Sequence, residues 1–177
     1  MTQQSIQELA ATPADLESEF GSRIEENQRR VFQIAYSVLG NAADAEEVAQ
    51  EAFLRAYRKQ VSLLDPVKFR GWVNRIVFRL ALNRKRGARR QLQRDTEWHA
   101  EGPGDVVDEA KRNTDRLLLQ QLRGAIDDLP EKLRSVLQLS LAEEMDAAEV
   151  AAVLGIPAGT VRSRLHTARK MLLEVMR

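Results

Sequence analysis

Apolar residues recur every three or four positions along most of the chain, which is the spacing of one face of an α-helix. Gly40 follows the first stripe at the position where a glycine commonly ends a helix. Asp44 and Glu47 form a capping-box pattern before the second stripe, and Pro66 breaks the chain before the third. Three helices are thus predicted on Val31, Ile34, Ala35, Val38 and Leu39; Val48, Ala49, Ala52, Phe53 and Ala56; and Val73, Ile76, Val77 and Leu80.

Four further stripes follow in the second half of the chain. Pro130 suits the first turn of a helix, because its missing N–H would have no helical partner there. Residues 155–159 separate the last two stripes, and helices joined by such a short glycine-containing turn, with the second one basic, are typical of a helix-turn-helix. The stripes are Leu119, Leu122, Ile126 and Leu129; Leu133, Val136 and Leu137; Val150, Ala151 and Leu154; and Val161, Leu165, Ala168 and Leu172.

The fold class predicted from these stripes is all-α, because no segment alternates long enough to form a strand. The 177 residues suffice for two small domains. Gly102, Pro103 and Gly104 lie in a stretch without apolar periodicity, which predicts a flexible acidic linker. We expect a tail or one short helix over 1–22, a helical bundle over 23–94, the linker over 95–115 and a helix-turn-helix domain over 116–177.

The composition excludes several classes of site. The chain has no cysteine, and therefore no disulfide, thiolate metal site or cysteine nucleophile. Its two histidines, His99 and His166, lie far apart, so we expect no metal and no cofactor. No glycine-rich phosphate loop or nucleophile motif is found, so we expect no enzymatic activity. Neither a signal-peptide pattern nor a bilayer-length apolar run is found, so we expect a soluble cytoplasmic protein.

Charge is distributed unevenly, although the formal net charge is only +1. Residues 68–94 hold ten lysines and arginines and no acid, and residues 160–177 hold five bases and one acid. Residues 95–115, between these blocks, hold seven acids and two bases. Two basic blocks separated by an acidic stretch indicate two surfaces that each meet a polyanion.

The first basic block predicts a helix that faces nucleic acid. Trp72, Arg75 and Arg79 lie at helical spacing on one face. Arginines supply forked donors to phosphates, and flat rings supply surfaces on which an unstacked base can lie. The alternative is a solvated face with Trp72 in the core, but such a face normally carries both signs of charge. The candidate residues are Phe69, Trp72, Arg75, Arg79, Asn83, Arg84 and Arg86.

The second basic block predicts the recognition helix of the helix-turn-helix, from about Thr160 to Met176. The N-terminal residues of such a helix contact base edges in the major groove, and later basic residues contact phosphates. The alternative is a polar outer helix of an ordinary small bundle. The candidate residues are Thr160, Arg162, Ser163, Arg164, His166, Thr167, Arg169 and Lys170.

An acidic face is predicted on the helix over residues 44–57. Asp44, Glu47 and Glu51 lie on one side of it, at positions i, i+3 and i+7. This face is either a solvated surface or a docking surface for a partner protein. The residues taken alone favour the solvated surface.

Four segments, in their order and spacing, resemble the sigma factors of bacterial RNA polymerase. The segment Asp44–Tyr57 resembles their core-polymerase-binding helix, and Phe69–Ile76 resembles their promoter-melting segment. Leu129–Arg134 resembles the entry to their C-terminal domain, and Ala148–Leu165 resembles its helix-turn-helix. Two such domains joined by a short linker are the layout of the extracytoplasmic-function (ECF) sigma factors.

This resemblance implies a function in transcription initiation. The first domain is expected to open the minus-ten promoter element, and the second to bind the minus-thirty-five element as duplex and to contact the polymerase β flap. The linker is expected near the RNA exit path. The implied partners are core RNA polymerase, promoter DNA and an anti-sigma factor. Docking on the β′ clamp helices is expected through Asp44, Glu47, Gln50, Glu51 and Phe53.

The chain departs from this family at three candidate positions. Arg79 stands where Asn is common, Asn83 where Asp is common, and Thr167 where Arg is frequent. The first two bear on minus-ten recognition and the third on one contact to minus-thirty-five DNA. Two other functions remain as alternatives: a mimic that sequesters an anti-sigma factor, and a helix-turn-helix regulator that acts without polymerase. The regulator would leave the acidic helix and the Trp72 face without a role.

Overall fold

A computed structural model describes residues 13–59, 66–96, 110–142 and 145–175. These residues form seven α-helices and no strand, which confirms the all-α fold class. Contacts between residues divide the chain into two compact units, Met1–Leu82 and Asn83–Arg177. The helices are α1 (Pro13–Leu39), α2 (Ala42–Lys59), α3 (Pro66–Thr96), α4 (Ala110–Asp128), α5 (Glu131–Leu141), α6 (Ala147–Leu154) and α7 (Ala158–Val175).

The core of the first unit is built mainly from the three stripes predicted from the sequence, of which Leu39, Ile76 and Leu80 are only half-buried. α1 and α2 pack against each other as a helical hairpin. Their buried residues are Val31, Ile34, Ala35, Val38, Ala45, Val48, Ala49, Ala52, Phe53 and Ala56. α3 adds the buried residues Phe69, Val73, Val77, Phe78 and Ala81. Burial of this apolar surface is the main force that holds the helices together.

The turn between α1 and α2 begins at the predicted glycine. Gly40 has a φ of 71°, a left-handed conformation that glycine adopts without steric cost. Its N–H donates a hydrogen bond of 2.8 Å to the carbonyl oxygen of Tyr36. The expected role of Gly40 as the residue that ends the first helix is therefore confirmed.

The N-terminal cap of α2 differs from the prediction. The sequence pattern placed the cap at Asp44, but the side chain of Asn41 accepts hydrogen bonds from the N–H groups of Ala43 at 2.9 Å and Asp44 at 3.4 Å. The chain leaves the left-handed turn at Gly40 directly before Asn41, and the helix begins at Ala42. Asp44 consequently lies inside the first turn, where its negative charge interacts favourably with the positive end of the helix dipole and stabilises the helix.

Two helix boundaries also differ from the prediction. α1 begins at Pro13, so residues 13–22 continue the first helix instead of forming a separate element. α4 begins at Ala110, inside the stretch that was expected to be linker. Both extensions hold too few apolar residues to form a stripe, so helical periodicity gave no signal for them. The remainder of the expected tail and linker lies outside the described residues.

The second unit contains the predicted helix-turn-helix. Buried Leu129, Leu137 and Ala168 form a cluster with the partly buried side chains Ile126, Leu133, Leu165 and Leu172. α6 ends at Gly155, whose left-handed φ of 67° turns the chain toward α7. Val150 of α6 and Val161 of α7 are both fully buried. The turn and the two buried faces hold α6 and α7 as one supersecondary unit.

A capping box begins the eight-residue helix α6. One carboxylate oxygen of Asp146 accepts hydrogen bonds from the N–H groups of Ala148 at 2.7 Å and Glu149 at 2.8 Å. Glu149 completes the box, because its carboxylate accepts a bond of 3.2 Å from the N–H of Asp146. Such caps satisfy donors that have no partner within the helix.

Asp146→Ala is therefore expected to lower the free energy of unfolding of the second unit by about 1 kcal/mol. Urea unfolding followed by helical circular dichroism measures this loss. Asp146→Ser, which keeps an acceptor at the cap, is the matched control and should unfold close to the original protein. Equal stability of the alanine and serine variants would contradict the capping role.

None of the described helices combines enough length with enough apolar character to cross a bilayer.

Candidate functional site

The outer face of α2 carries an acidic surface, which we define as Asp44, Glu47, Gln50 and Glu51. Glu47 and Gln50 are exposed, and Asp44 and Glu51 are half-buried. The Glu51 carboxylate accepts a hydrogen bond of 2.7 Å from Arg55 Nε, one helical turn further on. The opposite face of α2 is buried against α1, and this packing holds the helix that carries the acidic surface in place.

Phe53 lies away from the acidic surface, although it was predicted to contact the partner. Its side chain is only 8% exposed and belongs to the core of the first unit. The apolar stripe of α2 dictates this placement, because Phe53 follows Ala49 by one helical turn. Phe53 thus supports the acidic surface from within the unit.

Leu54 is a surface residue that the sequence prediction missed. It is 50% exposed and follows Glu47 and Glu51 along the same side of α2. An exposed leucine beside carboxylates gives this charged surface an apolar patch. The sequence did contain a signal for this residue, because Leu54 is an apolar residue outside the buried stripe of α2.

The basic surface of α3, which we define as Trp72, Arg75, Arg79, Asn83, Arg84 and Arg86, follows the predicted face. Trp72 is half-buried, and the other five side chains are exposed. The sequence allowed Trp72 to be either a core residue or a DNA-facing residue. Because Trp72 is half-buried, it lies between these two placements. The structure thus brings an aromatic ring and a row of cationic side chains together on one helix.

Phe69 is placed differently from the prediction that it offers a stacking ring to a base. Its side chain is only 1% exposed. It lies edge-on to Phe20, with ring centroids 6.0 Å apart and an interplanar angle of 90°. The sequence shows aromatic residues next to basic ones but does not show which ring turns inward. Trp72 is therefore the ring of this segment that can meet a base.

Ion pairs hold two cations of the α3 C-terminal half within the second unit. Lys85 Nζ lies 2.6 Å from Asp127 Oδ1, and the Arg86 guanidinium pairs with Glu131. Both pairs are substantially exposed, and exposed pairs contribute only about 0–1 kcal/mol. A phosphate can replace these carboxylates at little cost.

The outer face of α7 presents the predicted recognition residues. Six of them are exposed: Arg162, Ser163, His166, Thr167, Arg169 and Lys170. Thr160 and Arg164 are half-buried and lie closer to the body of the unit. The inner face of α7 is anchored by Val161 and Ala168, which are fully buried.

The hydroxyl groups of α7 bond along their own helix. Ser163 Oγ donates to the Thr160 carbonyl oxygen at 3.0 Å, and Thr167 Oγ1 donates to the Ser163 carbonyl oxygen at 3.0 Å. These bonds hold both hydroxyls close to the helix surface. The longer side chains of Arg162, His166 and Arg169 therefore project beyond them.

Among the described residues, seven helices in two units, the second of which contains a helix-turn-helix, define the class of two-domain helical proteins. Residues 23–91 match the family model of sigma-70 region 2, and residues 119–172 match that of sigma-70 region 4. Together these matches cover more than half of the chain. With its curated relatives, these matches show that the protein belongs to the ECF sigma factors of bacterial RNA polymerase.

Curated relatives support the same assignment. The chain is 34% identical over 155 residues to the ECF RNA polymerase sigma factor SigE of Mycolicibacterium smegmatis, a match that covers 86% of this chain and 60% of SigE. It is 33% identical over 156 residues to the ECF RNA polymerase sigma factor SigW of Bacillus subtilis, covering 84% and 83% of the two chains.

Solved structures share the fold. A structure of the sigma factor RpoE with the anti-sigma factor NepR from Bartonella quintana matches with a TM-score of 0.62 and 22% identity, covering 89% of this chain and 96% of that one. A structure of CnrH with the cytosolic domain of CnrY matches with a TM-score of 0.60 and 24% identity, covering 89% and 86%.

Proposed function

We propose that this chain recruits core RNA polymerase through the acidic surface of α2 and directs it to promoters through α3 and α7. The observation that carries the proposal is that α2 carries an exposed acidic face and the next helix, α3, carries an exposed basic face. Opposite charges on separate helices allow two partners to bind at once, a basic protein surface and a nucleic acid. The working domains in this proposal are residues 23–94 and 116–177.

The basic surface of α3 is proposed to open and hold the minus-ten element. Its cations supply phosphate contacts, and the half-buried ring of Trp72 supplies a stacking surface for an unpaired base. Arg79 and Asn83, the positions where the chain departs from its family, are both exposed on this surface. They are therefore placed to alter which minus-ten bases are preferred.

α7 is proposed to bind the minus-thirty-five element in the major groove. Arg162 lies in its second turn, and Arg169 and Lys170 follow further along the same helix. This order matches a recognition helix whose first residues contact base edges and whose later residues contact phosphates. We further propose that the second domain contacts the β flap, and that the linker lies near the RNA exit path.

An anti-sigma factor is proposed as the regulatory partner. One similar structure contains the sigma factor RpoE bound to the anti-sigma factor NepR, and the other contains CnrH bound to the cytosolic domain of CnrY. A protein that covers the acidic surface or the recognition helix would block polymerase or DNA. Because core polymerase and the chromosome are its targets, the proposed site of action is the cytoplasm, and the proposed role needs no enzymatic step.

In vitro transcription tests the proposal directly. The purified chain is mixed with bacterial core RNA polymerase and fragmented DNA from its source, and the run-off transcripts are sequenced. We expect discrete starts that share two upstream motifs. Polymerase binding without transcripts would contradict promoter opening. A sigma-like mimic would bind an anti-sigma factor but no promoter, and a polymerase-independent regulator would bind duplex DNA alone.

Arg162→Ala is expected to weaken minus-thirty-five binding by about 1–3 kcal/mol and to relax preference at one base pair, because a forked guanidinium discriminates guanine from other bases. Fluorescence anisotropy of holoenzyme on promoter duplexes that differ at single positions measures both effects. Lys132→Ala, which removes an exposed cation of α5 that was not predicted to contact DNA, is the control. A uniform loss on all duplexes would identify Arg162 as a phosphate contact.

A further inference from the structure

Three aromatic rings join the three helices of the first unit. The Phe20 ring of α1 lies 5.2 Å from the Tyr57 ring of α2, centroid to centroid, at an interplanar angle of 57°. The same Phe20 ring lies 6.0 Å from the Phe69 ring of α3 at 90°. Both geometries fall in the range of favourable aromatic pairs, about 4.5–7 Å between centroids and tilted or edge-to-face.

The burial of these rings identifies Phe20 as the bridge. Phe20 is 7% exposed and Phe69 is 1% exposed, whereas Tyr57 is 41% exposed. Phe20 therefore lies below Tyr57 and contacts both neighbouring helices from α1.

The two partners of Phe20 belong to the two functional segments of the first unit. Tyr57 ends the segment of α2 that carries the acidic surface, and Phe69 precedes Trp72 by one turn of α3. Phe20 itself lies before residue 23, where the match to sigma-70 region 2 begins.

We propose that Phe20 is a positioning residue for promoter opening. Its ring fixes the beginning of α3 against the end of α2, and thereby fixes Trp72 relative to the acidic surface that is anchored on polymerase. A helix held by side-chain packing has one preferred placement, because protein interiors are densely packed. This inference rests on the proposed roles of the acidic surface and of Trp72.

The test uses holoenzyme formed with the full chain. Phe20→Ala removes the ring, and Phe20→Leu keeps an apolar side chain without it. Ile34→Ala is the matched control, because Ile34 is a fully buried residue of the same helix in the α1 core stripe. Binding to core polymerase is measured by fluorescence anisotropy, and promoter opening by the fluorescence of 2-aminopurine placed in the minus-ten element.

We expect Phe20→Ala to bind core polymerase within threefold of the original chain and to open the promoter at least tenfold more slowly. Phe20→Leu should open at an intermediate rate, and Ile34→Ala within twofold of the original. A promoter supplied with a pre-opened minus-ten bubble should restore transcription by both Phe20 variants, because that template does not require opening.

Three results would overturn the inference. One is opening by Phe20→Leu at the original rate. Another is an equal loss of opening by Ile34→Ala, which would show a general effect of stability. The third is loss of polymerase binding by Phe20→Leu in parallel with opening. If Phe20→Ala fails to fold by circular dichroism, the leucine variant decides. Failure of the original chain to open any promoter would instead contradict the proposed function.

Discussion

Holoenzyme formation should be abolished when Glu47 and Glu51 are both changed to lysine. The double change replaces two negative charges with two positive ones on the acidic surface of α2. If this surface faces a basic surface of polymerase, attraction becomes repulsion, and like charges across an interface cost several kcal/mol. Fluorescence anisotropy of the labelled chain titrated with core polymerase measures the loss.

The fold should tolerate this change. Glu47 is exposed and Glu51 is half-buried, and the ion pair between Glu51 and Arg55 is a surface pair one helical turn apart. Placing lysine there costs about 0.2–0.5 kcal/mol for each unfavourable pair on the helix. Glu17→Lys with Glu25→Lys makes the same change of charge on exposed residues of α1 and is the control. Unchanged polymerase binding by the α2 variant would return this face to a solvated role.

Trp72→Ala should leave polymerase binding intact and reduce promoter opening by about one to two orders of magnitude, if its ring contributes about 1–3 kcal/mol of stacking to one unpaired base. The rate of 2-aminopurine fluorescence increase in the minus-ten element measures opening. Trp72→Phe keeps a flat ring at the same position and should retain part of the activity.

The half-buried placement of Trp72 sets the control for this experiment. Removing a ring that also packs will lower the free energy of unfolding to some degree. Thermal unfolding of the free chain therefore has to be measured in parallel. A loss of helical structure at the assay temperature, together with a loss of polymerase binding, would show that Trp72 acts as a core residue.

Local pattern was sufficient to predict most of the fold. The stripe around Val31, Ile34 and Val38 predicts a buried helix face because helical periodicity and burial have the same physical cause. Gly40 and the turn at 155–159 were likewise predictable, because a left-handed residue strongly favours glycine. The cap of α2 was not, since Asn41 and Asp44 are both good caps and the turn at Gly40 decides between them.

The side-chain arrangement of the site was predicted less completely. Arg75 and Arg79 are exposed, as expected for charged side chains, which lose hydration when they are buried. Phe69 turns inward and contacts Phe20, a residue far away along the chain that no local pattern connects to it. Contacts of this kind are set by tertiary packing, which a single sequence does not display.

The unbroken length of α3 has a consequence for the geometry of promoters. Its 31 residues form a rod of about 46 Å, since each residue adds about 1.5 Å. Base pairs are spaced at about 3.4 Å, so the rod is as long as about 14 base pairs of duplex. Inserting or deleting residues between Trp72 and Arg90 would rotate and shift one end against the other. Under the role proposed for α3, the length of the helix would set a fixed separation between Trp72 and Arg90, independently of any base that the helix contacts.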